Sequence, residues 1–241
     1  MNKNTDTKNS SGKREGEIAS VVNRRLFLRS AGLATSLGTI VIAAACSDDD
    51  HDPMIPGTGD AVDLGSGDIG VLNYAYALEQ LEAAFYIQVI TTPYMGMSDA
   101  EKAILTDIRD HEVIHRDFFK AALGDKAIKG LTPNFGAIDF SKRDAVLGAA
   151  KLFEDTGVAA YNGAGKLIKD PNYLLLAGKI VSVEARHAAV IRDLINPKSA
   201  DFAGDDILDA NGMDKAVAPA DILAAVKGFV KDTITGANVG K

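Results

Sequence analysis

"RDHEVIHRDFF", Arg109 to Phe119, spells two overlapping metal-binding patterns. His111-Glu112-x-x-His115 is the helical zinc-hydrolase motif, with two histidines one turn apart and the glutamate as general base. The shorter Glu112-x-x-His115 puts a carboxylate oxygen and an imidazole nitrogen on one helix face, which suits a cation held between helices. The two readings need different partners elsewhere in the chain, so the rest of the sequence decides between them.

The shorter pattern recurs as Glu184-Ala185-Arg186-His187. Glu79 stands 33 residues before Glu112, and Glu154 stands 30 before Glu184. Each of these leading glutamates is followed seven residues later by a tyrosine, Tyr86 and Tyr161. This is an internal repeat in which each half carries one Glu and one Glu-x-x-His. The four glutamates fall within apolar rows of helical period: Leu72, Tyr76, Glu79, Ala83, Tyr86; Leu105, Ile108, Glu112, His115, Phe119; Leu147, Ala150, Glu154, Tyr161, Ile168; and Tyr173, Ala177, Ile180, Glu184, His187, Ile191. A carboxylate in such a row costs several kcal/mol to desolvate unless a cation compensates. No lysine or arginine shares these rows. Two divalent transition-metal ions, iron or manganese, would balance the four charges, and the set matches the Glu and Glu-x-x-His inventory of di-metal four-helix bundles. The zinc-hydrolase reading leaves Glu184-x-x-His187, Glu79 and Glu154 unused and offers no third ligand. It stands as the minor alternative.

Apolar periodicity and punctuation predict four helices over about Ile69 to Ile90, Asp99 to Leu123, Lys142 to Ile168 and Pro171 to Ile195. Ser98 with Glu101 forms a capping box, Ser141 is the expected cap of the third helix, and Asp170 with Pro171 opens the fourth. The first and last connections are short, whereas Gly124 to Ser141 is long. That pattern predicts two antiparallel hairpins joined by a crossover, an all-α, ferritin-like four-helix bundle. Residues 196 to 241 form an extension with a fifth, shorter helix over Pro219 to Thr233 laid against the bundle, and no strand of useful length is expected.

The chain has 241 residues, 46% apolar and 24% charged, a globular composition. Residues 1 to 45 contain Asn23-Arg24-Arg25-Leu26-Phe27-Leu28-Arg29 followed by a mildly apolar run ending in Ala43-Ala44-Ala45-Cys46. They resemble a twin-arginine export signal with a lipoprotein cleavage site, Cys46 being the acyl acceptor and the sole cysteine. The run is short and weakly apolar for a membrane span. Expected localisation is the cell envelope, as a periplasmic or outer-membrane lipoprotein held to the membrane through its amino-terminal lipid. Seven of the 26 basic and three of the 33 acidic residues lie in the first 45, so the remainder carries a formal −11. That charge excludes nucleic acid as a partner. Residues 46 to 68, with Asp48-Asp49-Asp50 and scattered Gly and Pro, read as a flexible acidic tether.

"YALEQLEAAFY" (Tyr76 to Tyr86), "HEVIHRDFF" and "VEARHAAVIRDL" together resemble the ferritin-like superfamily, in particular exported bacterial ferritin-like domain proteins close to rubrerythrin and bacterioferritin. The resemblance covers about Ile69 to Ile195. It implies that Glu79, Glu112, His115, Glu154, Glu184 and His187 are metal ligands, with Glu112 and Glu184 bridging two ions and Glu79 and Glu154 terminal. It further implies a ferroxidase, peroxidase or catalase-like reaction with oxygen or peroxide; a non-catalytic, stress-protective metal bundle and an acidic interaction module are the alternatives, and homodimer formation is left open. Glu82 is either a switching ligand or a charge facing the fifth helix. His111 is expected beside the metal site. For Tyr86 and Tyr161, packing is favoured over hydrogen bonding to ligands. Where related di-iron enzymes place an aspartate before Glu-x-x-His, this chain has His111 and Val183.

Overall fold

The computed structural model describes residues 61–241. The expected export segment, Cys46 and the expected tether up to residue 60 lie outside the described residues. The element order is β1 (Val62–Asp63), α1 (Gly67–Thr91), α2 (Asp99–Leu123), α3 (Arg143–Gly165), α4 (Pro171–Ile195), α5 (Pro219–Val226) and β2 (Ile234–Thr235). α1 packs along α2, and α3 along α4, so the two predicted hairpins are present. No helix among the described residues is long and apolar enough to cross a membrane.

Local signals set most of the helix ends. Ser98 Oγ accepts the Glu101 amide at 3.2 Å while Glu101 Oε2 accepts the Ser98 amide at 3.2 Å, closing the predicted capping box of α2. Asp170 Oδ1 accepts the Asn172 amide at 2.8 Å, with Pro171 at the first helical position of α4. Asp68 on α1 accepts the amides of Lys169 and Asp170 at 2.8 and 2.9 Å, which pins the short turn between α3 and α4 to the start of the first helix.

Several expectations are corrected. Ser141 does not cap α3; its hydroxyl donates to Asp139 Oδ1 at 2.6 Å, and the helix starts at Arg143. α3 ends at Gly165, three residues before Ile168, because the amides of Leu167 and Ile168 fold back onto Ala164 and Gly165 as tight turns. α5 ends at Val226 and continues only as a 3-10 turn, Lys227–Phe229. Two strands exist, each of two residues: β1 and β2 pair in parallel with Val62 opposite Ile234 and Asp63 opposite Thr235. Val62 and Leu64, expected within the tether, are buried.

α1 is buried on nearly all sides, unlike the one-sided helix that an amphipathic row predicts. Its outer faces are covered by the crossover and the extension. Asn73 donates to the carbonyls of Leu64 and Lys126 and accepts the Ile128 amide, and Gln80 Oε1 accepts the Leu131 amide at 2.8 Å, so polar side chains of α1 hold the crossover down. Phe135 and Phe140 from the crossover close on Phe85, and Phe153 packs edge-on against both Phe85 and Phe229. The extension returns across α3, where the Val217 amide donates to the Ala159 carbonyl at 3.0 Å. Gly163 permits this crossing, since a Cβ there would lie 1.7 Å from the Val217 carbonyl oxygen.

Arg192 of α4 is buried and forks onto Asp155 of α3 and Asp206 of the extension, with four contacts of 2.7 to 2.9 Å. It ties the second hairpin to the extension, where it also donates to the Asp201 carbonyl at 3.1 Å.

Candidate metal centre

Each of the four long helices contributes one glutamate to the middle of the bundle. Glu79, Glu112, Glu154 and Glu184 are fully buried, and His187 is 4% exposed. They assemble with His115 into two overlapping groups, Glu79–Glu112–His115–Glu184 and Glu112–Glu154–Glu184–His187, within each of which the ligand-type atoms lie no more than 4.8 Å apart. Glu112 and Glu184 belong to both. All six residues predicted as ligands are thus brought together, as the helical i, i+3 spacing requires when two Glu-x-x-His faces meet.

The contacts show how the shared carboxylates divide. His115 Nδ1 is 2.8 Å from Glu184 Oε1, 3.6 Å from Glu79 Oε2 and 3.7 Å from Glu112 Oε2. His187 Nδ1 is 2.8 Å from Glu112 Oε1, 3.5 Å from Glu184 Oε2 and 3.6 Å from Glu154 Oε2. Glu112 and Glu184 therefore each turn one oxygen to either group. Glu79 and Glu154 turn one oxygen inward, and the other is held by a phenol: Tyr161 donates to Glu79 Oε1, and Tyr86 donates to Glu154 Oε1 at 2.5 Å. The tyrosine of each half serves the glutamate of the other. This corrects the expectation that Tyr86 and Tyr161 mainly pack. Burial, then the neighbouring Glu154 for Tyr86 and Glu79 for Tyr161, drives both phenols well above their ordinary pKa, so they stay protonated and donate.

What is left after these bonds is a ring of buried polar atoms that make no well-aligned hydrogen bond: six carboxylate oxygens, namely Glu79 Oε2, both oxygens of Glu112 and of Glu184, and Glu154 Oε2, together with Nδ1 of His115 and His187. Orphaned buried polar atoms are rare, and a concentration of acceptors at one point fits a cation. Electrostatics agree. Burial foremost, then Glu184, pushes Glu79 well above the usual carboxylate range, and Glu154 rises to about 8, again chiefly by burial. Burial disfavours charge on Glu112 too, but His115 and His187 outweigh it and hold the carboxyl at about 2. Burial likewise opposes protonation of the two rings, yet the surrounding carboxylates prevail, Glu112, Glu184 and Glu79 around His115 and Glu112, Glu154 and Glu184 around His187, raising each to about 12. Protons on these imidazoles stand in for the positive charge that the carboxylates attract.

Glu82 is buried inside the bundle and does not face the fifth helix; its Oε1 lies where a Cβ on Gly157 would come within 2.9 Å. Gly157 stands at the position of the second half that matches Glu82 in the first, three residues after the leading glutamate. One half supplies the carboxylate and the other the space for it. Glu82 stands outside both four-residue groups. Burial first, then Glu112, raises its pKa well above the ordinary value. His111 is exposed, and its Nδ1 lies 2.9 Å from His187 Nε2, so it is not brought into a group with His115 as a zinc-hydrolase pair requires. Sequence reasoning missed the crossed tyrosines, the Arg192 fork and the pairing of Glu82 with Gly157, for which the offset in the repeat is the one available signal.

Two helical hairpins joined by a long crossover, with glutamates and histidines converging from all four helices, define a carboxylate-bearing four-helix bundle whose buried acidic cluster can hold metal ions. A family model for the ferritin-like domain matches residues 67–197, more than half of the chain, and the chain belongs to that family. No curated protein matches it.

Proposed function

We propose that the protein binds two divalent transition-metal ions, iron or manganese, in the buried cluster and uses them in redox protection of the cell envelope, with oxygen or peroxide as the reactant. The observation that carries this reading is the ring of six unpartnered carboxylate oxygens and two imidazole nitrogens, shared so that Glu112 and Glu184 present one oxygen to each of two positions. Glu79 and His115 would complete one position, Glu154 and His187 the other. When bound, such an ion pair supplies electrons and Lewis acidity. The chain's own part is to fix the ligands: Tyr161 and Tyr86 hold the outer oxygens of Glu79 and Glu154, leaving a single oxygen of each free to turn inward. Full burial of the four glutamates keeps bulk water from the centre.

Twin-arginine export and lipidation at Cys46 belong to the same reading, supported by Arg24-Arg25 and the single cysteine behind an apolar run. Elemental analysis after anaerobic loading with Fe(II) or Mn(II) tests the metal claim: about two ions per chain are expected, and a value near zero in every condition defeats it. Peroxide consumption by the loaded protein separates an enzyme from a non-catalytic metal bundle, which would hold the ions without turnover.

A further inference from the structure

The two halves of the cluster are alike in their carboxylates and phenols but differ behind their histidines. His187 has a partner on its outer nitrogen: Nε2 lies 2.9 Å from His111 Nδ1, and the ring planes are 10° apart with centroids separated by 5.2 Å. With the nitrogens this close, the two imidazoles meet edge to edge, the lone pair of one along the N–H of the other. His115 has no such partner among the described residues; the repeat position that matches His111 is Val183, whose side chain has neither donor nor acceptor.

We propose that His111 is a positioning residue for His187 and that it makes the two metal positions unequal, the one served by His187 holding its ion more tightly than the one served by His115. The proposal rests on the two-ion reading above. An imidazole that gives Nδ1 to a cation must carry its proton on Nε2. At His187 that proton is donated to His111 Nδ1, which holds the ring orientation before an ion arrives and keeps the Nε2 proton in place when Nδ1 gives up its own to the ion. His115 must take up its orientation without that help, and the ordering cost falls on the binding step. His111 keeps its own proton on Nε2 and, being exposed, needs no buried acceptor for it.

The test is a titration of the metal-free protein with Mn(II), against a competing chelator, by calorimetry. The parent should show two classes of site. His187→Ala should abolish the tighter class and His115→Ala the weaker one, which assigns them. His111→Ala should weaken the tighter class alone by about 10- to 100-fold, the usual effect of removing a hydrogen bond behind a metal-bound histidine. His111→Asn, whose carbonyl can still accept the Nε2 proton, should restore most of the loss. Val183→His, which supplies a partner behind His115, should strengthen the weaker class. Melting of the metal-free His111→Ala protein at the parent temperature would show an intact fold. Two equal sites in the parent, or equal weakening of both classes by His111→Ala, overturns the proposal while leaving the two-ion reading standing; no Mn(II) binding by the parent overturns the two-ion reading itself.

Discussion

Replacing Glu154 by Gln should make the metal-free protein more stable at neutral pH while weakening its hold on metal. Glu154 is fully buried, and its carboxyl titrates at about 8 against an ordinary 4.5, burial being the main cause and Glu112 and Glu184 adding to it. A carboxyl raised in the folded state adds its full stability below the unfolded value and loses it as pH climbs toward the folded one. Unfolding between these limits releases a proton, and the penalty grows by about 1.4 kcal/mol per pH unit. From 4.5 to 7 that amounts to roughly 3 kcal/mol, an upper bound because the cluster titrates collectively. Gln escapes the penalty. Its carbonyl can still accept from Tyr86, and its amide faces Glu112 and Glu184, to which it can donate. Chelator-treated parent and variant should therefore have equal urea midpoints near pH 4.5 and diverge as pH rises, the variant leading by about 1 to 3 kcal/mol at pH 7. Mn(II) should raise the melting temperature of the parent more than that of the variant. A variant less stable by more than about 1 kcal/mol throughout this pH range would mean that Glu154 is an ordinary structural contact held by protein partners.

Three further outcomes follow from the same structure. At pH 6 to 8 the metal-free rings of His115 and His187, both raised to about 12, carry protons that an ion must displace, so metal affinity should rise with pH and binding should release at least about two protons per chain; calorimetry in buffers of different ionisation enthalpy reads this, and pH-independent affinity would refute it. Arg192→Met strips the guanidinium from the partly solvated Asp155 and the exposed Asp206 and loosens the extension, at a cost of about 1 to 2 kcal/mol in urea unfolding; a loss below about 0.5 kcal/mol would show that the fork adds nothing. Changing Arg24 and Arg25 to Lys should strand the precursor inside the cell, as fractionation would show, whereas normal delivery would reduce the pair to an ordinary basic segment.

The helices, their pairing into hairpins and the six residues of the cluster are legible in the order of the amino acids. Those are local properties: the i, i+3 geometry of Glu112 with His115 and Glu184 with His187, the caps at Ser98 and Asp170, and the contrast between short turns and one long crossover. Tertiary structure alone decided what lies behind each ligand. Period shows which face of a helix is inward but not the height and rotation at which two faces meet, and these pair Tyr86 with Glu154 and Tyr161 with Glu79 across the halves. They also bring His111 to His187 and leave His115 without such a counterpart among the described residues. Burial of Glu82 depends on the missing side chain of Gly157, and burial of Arg192 on carboxylates 37 residues before and 14 after it. The two-residue strands carry no alternation that a sequence could display; β1 and β2 form because the ends of the described chain are carried side by side once the helices have packed.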